Sequence, residues 1–315
     1  MRIIAGTITL AIATLLSTAA SAQSYPSRPI TMVVPFPPGG NTDIMARALQ
    51  MEMSKALGQT VVIINKGGAA GTLGLIDVAR AAPDGYTIAL TPNNPLTAQP
   101  HLQKLPYGMD SFRYICLTYY APYVLIAGPK APFKTFGEFV KFTKAKSENL
   151  VYGHPGLASQ PHLGMLAVLK AIGGDGLGVP FTGAGPMAQA LLSGTVMAIS
   201  ETPAVAAASN LPILAALSET RLAALPGVPT MKELGHPATS FTAGGVIAPG
   251  NIAPEVVATL EKACADATAR PEYKTIADRL NVEARHLAGA AFRKLFDADS
   301  VENADAVKRI GPTAK

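Results

Sequence analysis

Two stretches of this chain hold residues whose types and spacing could bind an anion. The first is Val34-Pro-Phe-Pro-Pro-Gly-Gly-Asn-Thr-Asp43, in which Gly39, Gly40, Asn41 and Thr42 stand where a helical pattern begins. The second, Gly153-His-Pro-Gly-Leu-Ala-Ser-Gln-Pro-His162, repeats the arrangement with Gly156, Ser159, Gln160 and His162. A glycine-rich loop running into a helix aims unpaired backbone N–H groups at one point, and the helix dipole adds partial positive charge there. In the first stretch, backbone amides and the Asn41 and Thr42 side chains would be the donors, with Asp43 ordering the helix start. In the second, Ser159 is the best donor, and His162 either meets a ligand or packs. His154 reads as surface.

Each stretch is positioned by a strand before it and a helix after it. Ile30 to Val34 is an apolar, β-branched run, and Ile44, Ala48 and Met51 recur at helical spacing, with Asn41 or Thr42 as N-cap. The helix ends at Gly58. A strand over 61–64, a helix over 73–81 and a strand over 86–90 follow, an alternation that implies an α/β architecture of mainly parallel sheets flanked by helices. Thr91 and Asn93 end that third strand, at the carboxyl edge where such sheets gather ligands. Tyr114 to Ala127 is too long for one strand and contains Pro122. It reads as two strands, or as chain passing between domains. Further helices are expected over 135–145, 163–171, 272–280 and 292–310. Glu201 follows the apolar run Val196 to Ile199; it either enters a cleft, to meet a ligand ammonium or hydroxyl, or is a strand-end surface charge.

Composition narrows the class. The chain has 315 residues, 49% hydrophobic and 15% charged, enough for two packed domains. Its net charge of +5 comes without a Lys/Arg run, so nucleic acid is not an expected partner. Arg2, an apolar run to Leu16 and Ala20-Ser21-Ala22 read as a signal peptide over residues 1–22, cleaved after Ala22, which sends the mature chain to the periplasm. An oxidising compartment permits a bridge between Cys116 and Cys264, yet two apolar settings far apart in sequence favour buried free thiols. There is no nucleotide loop, zincin motif or nucleophile elbow, and no metal-ligand cluster. The expectation is therefore a protein without catalytic residues, metal or cofactor.

The order of motifs resembles a known family. Tyr25-Pro-Ser-Arg-Pro-Ile30, the stretch through Asp43, Ala82-Pro-Asp-Gly-Tyr-Thr87, the loop ending His162-Leu163, Val179-Pro-Phe-Thr-Gly-Ala-Gly-Pro186, Leu225-Pro-Gly-Val-Pro-Thr-Met-Lys-Glu-Leu-Gly235 and Ala248-Pro-Gly250 are similar to the tripartite tricarboxylate transporter solute receptors, the Bug-type periplasmic binding proteins. The resemblance implies a two-lobe type 2 periplasmic binding protein fold, a Venus flytrap, with lobe 1 over 23–118 and 240–315 and lobe 2 over 119–239. It also implies that a ligand carboxylate is held between Pro37–Thr42, Pro38 among them, and Gly156–His162, Ala158 among them. Thr182 stands where the family often has Lys, Met197 where it often has an acid, and the chain has no Trp. The expected partners are a small organic carboxylate and the permease subunits of a tripartite transporter, or alternatively a sensor kinase ectodomain. The receptor itself is expected to be a monomer.

Overall fold

The computed structural model describes residues 25–145 and 150–310. The signal-peptide expectation over 1–22 lies outside the described residues. In chain order the elements are β1 (Ile30–Val34), α1 (Asn41–Leu57), β2 (Val61–Asn65), α2 (Thr72–Arg80), β3 (Thr87–Pro92), α3 (Asn94–Thr97), α4 (Gln99–Leu102) and β4 (Phe112–Pro122). The chain continues through β5 (Val124–Ala127), α5 (Phe136–Ala145), β6 (Val151–His154), α6 (Gln160–Ile172), β7 (Leu177–Pro180), α7 (Ala184–Ser193), β8 (Ala198–Glu201), α8 (Pro203–Ala208) and β9 (Ile213–Ala216). It closes with β10 (Phe241–Pro249), α9 (Pro254–Thr268), α10 (Pro271–Arg279), β11 (Glu283–Ala288) and α11 (Gly289–Ile310).

The strands form two sheets, ordered β11-β4-β10-β3-β1-β2 and β7-β6-β8-β5-β9. The α/β class and flanking helices stand as read, but the sheets are mixed rather than mainly parallel. Only β1 with β2 and β3, and β6 with β7 and β8, pair in parallel. The strands around the crossings between sheets, β4, β5 and β10, enter antiparallel. Periodicity reports which residues are buried, not the direction of the neighbouring strand, so this was beyond its reach.

Each sheet is buried on both faces. Met45, Leu49, Leu260 and Tyr273 cover one face of the first, and Leu75, Phe292 and Phe296 the other. A fully buried Leu or Phe side chain contributes about 2 kcal/mol relative to exposure. Phe139, Met165 and Leu169 do the same for the second sheet, with Met187 and Leu191 opposite.

The chain stays in the first sheet to Pro122, beyond the expected boundary at 118, and passes to the second at Tyr123. It returns at Ser240 to Phe241. Tyr123 donates its amide to the Ser240 carbonyl at 2.8 Å, so the two crossings run side by side. A third link is α11. Its first turns bury Phe292 and Phe296 against the first sheet, whereas Ala306 packs with Leu163 of α6. Lys170 pairs with Asp305, and the Thr239 hydroxyl donates to Glu302 at 3.1 Å.

Cys116 and Cys264 correct the sequence expectation: they are bridged, with Cα atoms 6.5 Å apart. Both lie in apolar surroundings as read, Cys116 in β4 and Cys264 on the buried face of α9. Because α9 packs directly over β4, the two apolar settings are one. That separation lies within the range a disulfide spans without backbone movement.

Candidate functional site

At the start of α1, Val34 leaves the sheet and the breaker loop turns the chain, with Gly39 at φ 87°, a left-handed conformation that suits glycine. The N-cap is Gly40 rather than Asn41 or Thr42. The first intrahelical bond runs from the Ile44 amide to the Gly40 carbonyl at 3.0 Å, so the amides of Asn41, Thr42 and Asp43 precede it and have no partner within the helix. Asp43 turns back instead of outward. It accepts the Gly39 amide at 2.9 Å, Arg47 Nε at 3.0 Å and Asn65 Nδ2 at 2.8 Å. Burial alone would raise its pKa, but these donors hold it below the ordinary carboxylate value. Asn65 also donates to the Phe36 carbonyl at 3.0 Å, fixing the ring-bearing part of the loop. Asp43 therefore orders the helix start, as read, and in doing so occupies the Gly39 amide.

At the start of α6 the N-cap is Ser159, without a side-chain capping bond. The first helical bond runs from the Leu163 amide to the Ser159 carbonyl at 2.9 Å, leaving the amides of Gln160 and His162 ahead of it. The Ser159 hydroxyl donates to the Gly156 carbonyl at 2.8 Å, and His154 Nδ1 donates to that same carbonyl at 2.8 Å. Ala158, at φ 50°, gives its amide to His162 Nδ1 at 3.1 Å. That bond places the His162 proton on Nε2, which reaches the Tyr152 hydroxyl at 3.3 Å. Burial, reinforced by His154, lowers the His162 pKa to about 3. His154 is buried rather than on the surface, stacked on His162 at 3.9 Å between ring centroids.

The two helix tips open on one cleft of about 360 Å³. Thr42 of α1 and Asn93 line it from the first sheet's side, and Gly156, Ser159 and Gln160 from the second's. Side chains already reach across: Asn94 donates to the Ala158 carbonyl at 2.8 Å, and Gln160 to the Phe241 carbonyl at 3.1 Å.

A profile described as the tripartite tricarboxylate transporter family receptor, TctC, matches residues 45–311. The chain belongs to this receptor family. It is 36% identical to protein BugT of Bordetella pertussis over 77% of either chain. Its fold is similar to that of a ligand-free TctC solute-binding protein from Polaromonas, with 32% identity, a TM-score of 0.82 and coverage of 91% of this chain and 100% of that one. It is likewise similar to MatC from Rhodopseudomonas palustris, solved with bound malate, with 31% identity, a TM-score of 0.74 and coverage of 90% and 100%. The two-sheet, helix-flanked architecture is thus the two-lobe fold of periplasmic solute-binding receptors.

In this TctC-type receptor several residues named from sequence have other work. Asn93 is buried and donates to the Phe241 carbonyl at 3.2 Å and to Asp299 at 2.8 Å, so it lines the cleft as part of its frame. Thr91 is buried in β3, its hydroxyl on the Pro92 carbonyl at 3.1 Å, and does not line the cleft. Pro38, Gly40 and Asn41 are exposed on the loop beside the cleft rather than among its lining residues. Glu201 is neither surface charge nor cleft wall. It is buried at the end of β8, accepts the Thr202 amide at 2.8 Å, and is pushed up to about 7 by burial.

The structure adds residues the sequence did not single out. Asn94, Gln99, Tyr123 and Thr242 line the cleft, and Asp299 supports it from α11. Asn94 stands next to Asn93 in the same polar pair, a signal that was present. Tyr123 and Thr242 sit where the two crossings meet, which becomes visible only once both are placed. Among the described residues no group of His, Cys, Asp or Glu could hold a metal ion, and no helix is long and apolar enough to cross a membrane.

Proposed function

We propose that this receptor works in the periplasm, captures a small organic carboxylate between the tips of α1 and α6, and presents it to the membrane subunits of a tripartite transporter. One observation carries the reading: the free-amide ends of two helices, one from each side of the molecule, share a single cleft. Each charge-assisted bond from such an amide contributes about 1.5–3 kcal/mol. The malate held by MatC, a relative of the same fold, supports an acid as ligand. The proposal divides the described chain into a lobe through Pro122 joined by 241–310, and a second lobe between them, meeting at Tyr123 and Ser240. Ligand bridging both tips shifts the population toward the closed arrangement only if it binds that arrangement more tightly.

The test is thermal unfolding and calorimetry with a carboxylate panel, each acid paired with its uncharged amide. A ligand at 100 times its Kd raises stability by about 2.7 kcal/mol, and only the acid of the pair should do so. If no acid raises the midpoint, or the amides match the acids, the reading is overturned.

A further inference from the structure

We propose that Tyr119, buried behind the tip of α1, is a positioning residue that turns the Thr42 hydroxyl into the cleft as a hydrogen-bond donor. This rests on the carboxylate-receptor reading and deepens it. Thr42 then offers an acid two hydrogens from one residue, that of its amide and that of its hydroxyl.

The strand β4 is irregular where it delivers this ring. On an evenly alternating strand Leu117 and Tyr119 would share a face. Instead Leu117 packs with Phe292 and Phe296, whereas Tyr119 joins Met45 and Leu49 of α1 on the opposite face. The cause is a bulge at Thr118. Gly245 stands opposite Leu117 and Gly244 opposite Tyr119, so Thr118 has no partner of its own on β10. The register with β11 breaks at the same place. A bulge of this kind re-aims a side chain, and here it turns Tyr119 toward α1. Gly244 completes the arrangement. A Cβ there would lie within 2.4 Å of the Tyr119 Cζ, Cε1 and phenol oxygen, so the phenol end fits only against a residue without a side chain.

The Tyr119 and Thr42 hydroxyls are 3.4 Å apart, and by geometry either could donate. Burial decides the direction. Tyr119 is 2% exposed, and burial pushes its pKa up to about 12, so the phenol keeps its proton at neutral pH. Among the described residues, Thr42 is the one hydrogen-bond partner of that hydroxyl. Were Thr42 the donor, the phenol proton would be stranded in an apolar core, and an unsatisfied buried donor is costly. Tyr119 therefore donates and Thr42 Oγ1 accepts. The Thr42 proton is left to point away from Tyr119, and Thr42 is half-buried on the cleft wall. Its amide also precedes the first intrahelical bond of α1, so a carboxylate at that tip accepts from both groups. At 3.4 Å the bond is longer than a tight hydroxyl pair and steers the Thr42 hydroxyl rather than clamping it.

A double-mutant cycle by calorimetry on the whole receptor tests this, with malate, succinate and benzoate as probes, each beside its amide. It is followed on the tightest-binding of the three acids. Thr42→Val should weaken binding about tenfold, the loss of one donor to a charged acceptor. Tyr119→Phe removes a single oxygen and should weaken binding about threefold on its own, but by less than about 1.5-fold in the Thr42→Val background. Thr42→Ser keeps the hydroxyl and should restore both the affinity and its sensitivity to Tyr119→Phe. An equal loss from Tyr119→Phe in both backgrounds marks a merely structural role and overturns the inference. So does no loss from Tyr119→Phe, or wild-type affinity in Thr42→Val. Each of those results leaves the carboxylate reading standing while the acid still outbinds its amide. If no acid outbinds its amide, the broader reading fails and this one with it.

Discussion

The loops that start α1 and α6 reach the same end by different chemistry. Before α1 a carboxylate does the organising: Asp43 draws in the Gly39 amide, Asn65 and Arg47. Before α6 the organiser is neutral. The Gly156 carbonyl collects Ser159 and His154, and His162 takes the Ala158 amide. Both leave the first amides of their helices without an intrahelical partner, and the α6 loop also engages Ser159 and His162, the side chains most easily taken there for ligand donors. On the proposed reading, the ligand anion enters beside a buried carboxylate whose charge is already engaged by its own donors.

This contrast can be broken from either side. The largest effect is expected for Asp43→Ala, which strands the Gly39 amide, Asn65 and Arg47 at once. Urea unfolding should register a loss of about 3 kcal/mol, with ligand affinity falling about tenfold, and Asp43→Asn should recover part of both. Acid comes next. The folded His162 has a pKa of about 3, below its ordinary value of 6.5, so on acidification the unfolded chain takes up the proton first. His162's own contribution to stability is full above about pH 6.5 and falls by about 2–3 kcal/mol between pH 6.5 and 4.5, whereas the buried Glu201, pushed up to about 7, contributes in the opposite sense over that window. Asp43 is also held low, so its contribution persists until the pH drops below the ordinary aspartate range. The His162 share is read as the difference between the unfolding midpoints of the wild type and of a His162 variant across pH.

His162→Leu sharpens the point. It orphans the Ala158 amide at a cost of about 1–2 kcal/mol, and the variant should lose less stability, or gain more, than the wild type on going from about pH 6.5 to 4.5. The smallest change is Ser159→Ala, below about 1 kcal/mol in stability and within about threefold in affinity, because the hydroxyl is bound to Gly156. A tenfold loss of affinity in calorimetry would show instead that this hydroxyl turns to the ligand.

Much of the frame was legible from residues alone. Apolar runs located β1, β2 and β3, Gly58 ended its helix in a left-handed conformation, and the breaker clusters marked both helix starts. The long β-rich stretch broken at Pro122 was read correctly as two strands or a passage between domains. Side-chain partnerships were not legible. Asn93 and Asp299 are 206 positions apart, and Cys116 and Cys264 are 148 apart. No local pattern reports that α11 and α9 bring them together. Glu201 was misplaced for a related reason, since the end of a strand carries no mark of whether neighbouring elements will bury it.

One consequence follows from α11, which packs on the first sheet at its beginning and on α6 near its end. Any rocking of the halves must slide or bend this single rod. A fluorophore fixed at Val301, which is 72% exposed midway along it, would ride between both bodies and give a solution readout of their relative movement without touching the bound acid.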